Sequence, residues 1–161
     1  MKRWKTKSGY EIIQILSGRS NVFLLTNGEK NILIDTSVSR LWNRLQRALD
    51  KLSIHTINYL ILTHAHFDHA ANANKIRKKY NALVIIQKYE AIYLSNGDNI
   101  LPEGTNIFTR PIVNILGKRF FSEFKYEPCE YDLLVDSCFD LENLGFIGYL
   151  IHTPGHTIGS M

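Results

Sequence analysis

Thr63-His64-Ala65-His66-Phe67-Asp68-His69 packs three imidazoles and one carboxylate into six positions, and near its end the chain reads His152-Thr153-Pro154-Gly155-His156-Thr157. Only 6 histidines occur in the 161 residues, so three in one cluster is not the scatter expected of surface or packed histidines. Zinc takes neutral imidazole nitrogen and carboxylate oxygen readily, and catalytic zinc sites keep a position for water beside three protein ligands. His64 and His66 stand two apart at the end of an extended run, which sends both side chains to one side. Asp68 and His69 follow the bend, where they suit a second ion close by.

The run that leads into the cluster, residues 56–62, is almost continuously apolar and reads as a strand buried on both faces. In open α/β sheets ligands gather beyond the carboxyl ends of strands, so the location fits the chemistry. Upstream, residues 10–16, 22–25 and 31–35 read as short strands separated by Ser17-Gly18 and by Asn27-Gly28, a strong hairpin signal. Residues 39–52 carry a helical stripe of Leu41, Trp42, Leu45, Ala48, Leu49 and Leu52, with Arg40, Arg44, Arg47 and Lys51 opposite. Residues 70–80 read as a helix, which sets Asp68 and His69 near a helix start, where negative charge is favoured. A strand at 83–86 and a short helix at 88–94 follow, and strand character resumes at 131–135, 138–141 and 146–151. Between 95 and 128 the periodicity weakens while Phe108, Phe120, Phe121, Phe124 and Tyr126 accumulate. These aromatics are expected to wall a substrate pocket, the rival reading being an arm that packs or dimerises.

Four landmarks in order make the chain resemble the metallo-β-lactamase superfamily of zinc hydrolases, most closely its glyoxalase II-like and general hydrolase members. They are Ser20-Asn21-Val22-Phe23-Leu24, Leu33-Ile34-Asp35-Thr36-Ser37, the His64 to His69 cluster, and the stretch from His152 to Ser160. The resemblance implies an α/β fold, an αβ/βα sandwich of two sheets each covered by helices. It also implies that His64, His66 and His156 hold a first zinc and that Asp68 and His69 belong to a second. Members of the family continue to a bridging aspartate and a final histidine, whereas this sequence reaches Met161 five residues after His156. The expectation is therefore one domain over 1–161, truncated at its C-terminus and incomplete in its second half, with one or two ions per site. A sheet deprived of partner strands invites pairing with another copy, so a homo-oligomer, possibly strand-swapped, is expected.

The net charge of +4 arises from scattered bases. A nuclease-like nucleic-acid partner rests on charge alone and is not expected, because amphipathic helices over a sheet routinely turn Lys and Arg to water. Cys129 and Cys138, nine apart, match neither a redox nor a zinc-finger spacing and are expected as reduced, partly buried thiols. No apolar run approaches the ~18 residues of a membrane span and no secretory segment opens the chain, so cytoplasm is the expected compartment.

The expected activity is hydrolysis of a small-molecule ester, thioester or amide, with metal-bound hydroxide attacking the carbonyl and Asp68 orienting the water or carrying its proton. The alternative is a truncated relative that binds zinc without turnover. Asp35 is expected to support the ligands rather than bind metal, and His55 and His152 are expected outside the ligand set.

Overall fold

The computed structural model describes residues 1–98 and 125–161. Apolar residues of the middle strands alternate between two cores, and that alternation determines the layering. Leu33, Leu60, Val84 and Ile86 pack on one face of the sheet, and Ile32, Ile61 and Ile85 pack on the other. Successive side chains of a strand point to opposite faces, so a run apolar at every position must be covered on both.

Among the described residues seven strands form the main sheet, in sequence order. β1 (Arg3–Lys5), β2 (Glu11–Leu16), β3 (Val22–Thr26) and β4 (Asn31–Ile34) are antiparallel neighbours. β5 (Tyr59–Ile61), β6 (Leu83–Gln87) and β7 (Leu133–Val135) add in parallel, with Leu33 opposite Leu60 and Leu60 opposite Val84. Parallel pairs require crossovers. The crossover from β4 to β5 runs through helix α1 (Trp42–Lys51), which buries Leu45, Ala48 and Leu49. That from β5 to β6 runs through α2 (Phe67–Ala70) and α3 (Ala73–Tyr80), and α4 (Ala91–Asn96) follows β6. Leu45, Leu49, Ile76 and Leu94 close the helical face.

The other face is covered by Leu141, Leu144 and Phe146, from the connection between β8 (Cys138–Asp140) and β9 (Tyr149–Ile151). These two strands form a separate two-stranded antiparallel sheet, with Cys138 opposite Ile151 and Asp140 opposite Tyr149. Its outward side is apolar: Ile147, Tyr149 and Ile151 are each more than half exposed.

Most expected elements are present with shifted ends. The run at 56–62 yields a strand only at Tyr59–Ile61, since Thr56 is exposed and Asn58 spends its side chain accepting from the Asn31 N–H at 2.8 Å. The helix expected over 70–80 is divided, because Asn72 turns its amide inward to the carbonyls of Thr36, Ser37 and Val38. The cysteines are both free but not alike: Cys129 is buried, and Cys138 is exposed at the outer sheet, a correction to the expectation of two partly buried thiols. Among the described residues no helix is long and apolar enough to cross a membrane. Phe108, Phe120, Phe121 and Phe124 lie outside the described residues.

Candidate metal centre

The loops beyond the carboxyl ends of β4 and β5 are joined by a hydrogen-bond network. Asp35, directly after β4, is 4% exposed and has φ near 60°, a left-handed conformation that Asp tolerates better than most residues. That turn aims its carboxylate at the neighbouring loop. Oδ1 accepts from the Thr63 N–H at 2.9 Å, and Oδ2 lies 2.8 Å from His69 Nδ1. Thr36 holds the same histidine from behind, its N–H and its hydroxyl both donating to the His69 carbonyl. Asn72 then fastens the Thr36 to Val38 backbone, and Ser20 meets Ser37 at 3.2 Å, tying in the loop before β3.

His64 to His69 sits on this platform. His66 is the extended residue before α2, which starts at Phe67 and places Asp68 in its first turn. The His156 loop, which follows β9, folds back on itself through Thr153 N–H to the Ser160 carbonyl, and its end is sewn to the cluster by the Met161 N–H donating to the Thr63 carbonyl. The result brings together residues far apart in sequence. His64, His66 and His156 each offer a ring nitrogen, and these nitrogens lie within 4.8 Å of one another. His66 Nδ1 and His156 Nε2 are 3.2 Å apart.

The ring of His64 is the buried member. Its Nδ1 meets Thr63 Oγ1 at 3.1 Å, while its Nε2 is buried with no hydrogen-bond partner among the described residues. A buried polar atom without a partner is costly, and buried polar groups of native proteins are nearly always satisfied. A cation between the three rings would satisfy it, so the residues present fit a metal ion. Burial, then the neighbouring His69, His66 and His156, lower the His64 pKa to about 3, so the ring stays neutral with a lone pair to give.

Asp68 and His69 flank the same cluster. The His69 ring centroid is 4.1 Å from that of His64. Burial works against protonation of His69, but the hydrogen bond and charge of Asp35, with the charge of Asp68, raise its pKa overall. Asp68 Oδ2 is 3.5 Å from Arg19 Nε, and the Arg19 guanidinium lies over Phe67. His152 does not join the group; its Nε2 lies 2.7 Å from the Ile158 carbonyl and so carries the proton that bonds it. His55 is exposed at the end of the α1 connection.

Two residues here carry no signal in the sequence, and a third lies elsewhere than expected. Glu90 is fully buried and accepts from the Ala65 N–H at 2.8 Å and the Gly159 N–H at 3.0 Å. Asn72 organises the Asp35 loop. Tyr126, expected at a pocket wall, is instead 7% exposed in the core and donates its hydroxyl proton to the Ala65 carbonyl at 2.7 Å. Its phenol pKa is pushed up, by burial first and then by the charge of Glu90.

The model of the metallo-beta-lactamase superfamily matches residues 17–161. A protein of Methanocaldococcus jannaschii named "Probable metallo-hydrolase" is 32% identical over 142 residues, 88% of this chain and 60% of that protein. Among solved structures, a metallo-beta-lactamase of Cronobacter sakazakii superposes with a TM-score of 0.70 at 19% identity, covering 99% of this chain and 52% of its own. The native enzyme of Legionella gormanii gives 0.68 at 18% identity, over 94% of this chain and 52% of its own. The chain thus spans between half and two thirds of the length of these relatives. With the imidazole cluster at the strand ends and the family model running from the turn after β2 through the His156 loop, the chain belongs to the metallo-β-lactamase superfamily.

Proposed function

We propose that this chain is a zinc-dependent hydrolase of a small molecule bearing an ester, thioester or amide carbonyl. The observation that carries the reading is the convergence of His64, His66 and His156, with the buried, unpartnered Nε2 of His64 among them. These three hold the first zinc; Asp68 and His69 serve a second. Zinc bound there would supply a Lewis acid and would lower the pKa of a water from about 15.7 to about 7, giving a nucleophile at neutral pH.

The chain's own groups do the rest. Asp35 accepts the Nδ1 proton of His69, which would leave Nε2 free to hold a metal. Thr63, held by Asp35, fixes the His64 ring through Oγ1. Asp68, in the first turn of α2, would orient the attacking water or carry its proton. The name of the archaeal relative supports a metallo-hydrolase. Zinc counting with turnover of small ester and thioester substrates tests the reading. Bound zinc with no turnover of any of them would favour the alternative, a zinc-binding relative without catalysis.

We further propose that a second copy covers the outward side of the β8–β9 sheet. Tyr149 and Ile151 are 62% and 58% exposed there while Leu150, between them, packs inward, so this strand is apolar on both sides. Contiguous exposed apolar surface marks an interface. Cys138 stands opposite Ile151 and reports on it. Light scattering is expected to show a dimer, and the Cys138 thiol to react with a disulfide reagent more slowly as protein concentration rises. Cys129 should stay unreactive throughout, its thiol pushed up to about 12 chiefly by burial. A monomer with concentration-independent Cys138 reactivity would contradict the contact.

A further inference from the structure

We propose that Glu90 is the positioning residue that clamps the two metal-holding loops together. The inference rests on the reading of His64, His66 and His156 as ligands. One carboxylate reaches both loops: Oε2 takes the N–H of Ala65, the residue between His64 and His66, and Oε1 takes the N–H of Gly159, three residues past His156. Tyr126 holds the carbonyl of the same Ala65, so the N–H and C=O that residue 65 contributes are both fixed from behind. The approach is close enough to require glycine, since a Cβ at position 159 would stand 2.5 Å from Glu90 Cγ and 2.8 Å from Gln87 Oε1.

The burial of Glu90 points the same way. The side chain is 0% exposed, and none of the ion pairs among the described residues includes it. A buried carboxylate without a counter-charge is costly even when hydrogen-bonded. A carboxylate this buried depends on its hydrogen bonds, and these two fix the separation of the ligand loops before an ion arrives.

A carboxylate that served only as the start of α4 would affect folding and leave metal affinity alone. The full chain is compared with Glu90→Gln, Glu90→Asp and Gly159→Ala, reading zinc affinity by chelator competition, the visible spectrum of the cobalt(II)-loaded protein, and metal-free melting. Glu90→Gln keeps one acceptor oxygen but opposes an NH2 to the other N–H. It is expected to weaken zinc about 10–100-fold and to alter the cobalt spectrum, while far-UV circular dichroism of the metal-free protein is unchanged. Glu90→Asp, with the charge but shorter reach, should fall between wild type and Glu90→Gln. Wild-type affinity and spectrum in Glu90→Gln would overturn the clamp. If that variant does not fold, Gly159→Ala decides, since it leaves Glu90 in place and only forces the second loop off it: weakened zinc binding supports the clamp and unchanged binding overturns it. Failure of the wild-type chain itself to bind zinc would instead overturn the ligand reading on which the clamp depends.

Discussion

His66→Ala is expected to lower zinc affinity about a hundredfold or more, roughly 2.8 kcal/mol at 1.4 kcal/mol per tenfold, and to leave the purified protein largely free of the metal. The reason is visible in the 3.2 Å separation of His66 Nδ1 from His156 Nε2. Two lone pairs at that distance repel unless a proton or a cation lies between them, and loss of one ring leaves a catalytic-type site with two imidazoles instead of three. His152→Ala is the control. That ring bonds a backbone carbonyl within its own loop and should keep wild-type zinc content when removed. Equal zinc in the two variants, measured by atomic absorption, would refute the assignment.

Asp35→Ala should have the largest effect on stability. The carboxylate is 4% exposed and serves the Thr63 N–H, the Thr63 hydroxyl and His69 Nδ1 together. Its removal strands buried donors at about 1–3 kcal/mol each. Alanine at φ near 60° adds roughly 1 kcal/mol of left-handed strain. At the lower end of that range the total is about 4 kcal/mol, which corresponds to a Tm lower by roughly 8–16 °C for a domain of this size. Asp35→Asn, which tolerates the same backbone and retains an acceptor, should lose less. A melting curve for Asp35→Ala within about 2 °C of wild type would mean that the network contributes little.

The spacing of the cluster and the order of the four landmarks made the family legible from the sequence, and with it the sheet. Two-faced burial of the middle strands could also be read there, because Ile32 and Leu33, or Leu60 and Ile61, leave no polar face to turn to water. A supporting role for Asp35 was legible from its place at a strand end. Its left-handed backbone was not, because no glycine marks the turn. Glu90 escaped notice for a related reason: it looks like any acid at a helix start until the fold brings Ala65 and Gly159 against it. Tyr126 was misplaced because composition shows where aromatics gather but not which way they face, and this one turns its hydroxyl to the Ala65 carbonyl. Exposure of Cys138 follows from the pairing of β8 with β9 alone, a tertiary fact without a local signal.

The central claim is that one cation is gripped jointly by rings from the His64 loop and the His156 loop. Crystals grown with zinc and measured above and below its absorption edge test it most directly. The account predicts an anomalous peak about 2.0–2.1 Å from His64 Nε2, His66 Nδ1 and His156 Nε2. A map with no peak among these nitrogens, or with zinc held elsewhere while the three rings stand apart, would contradict it.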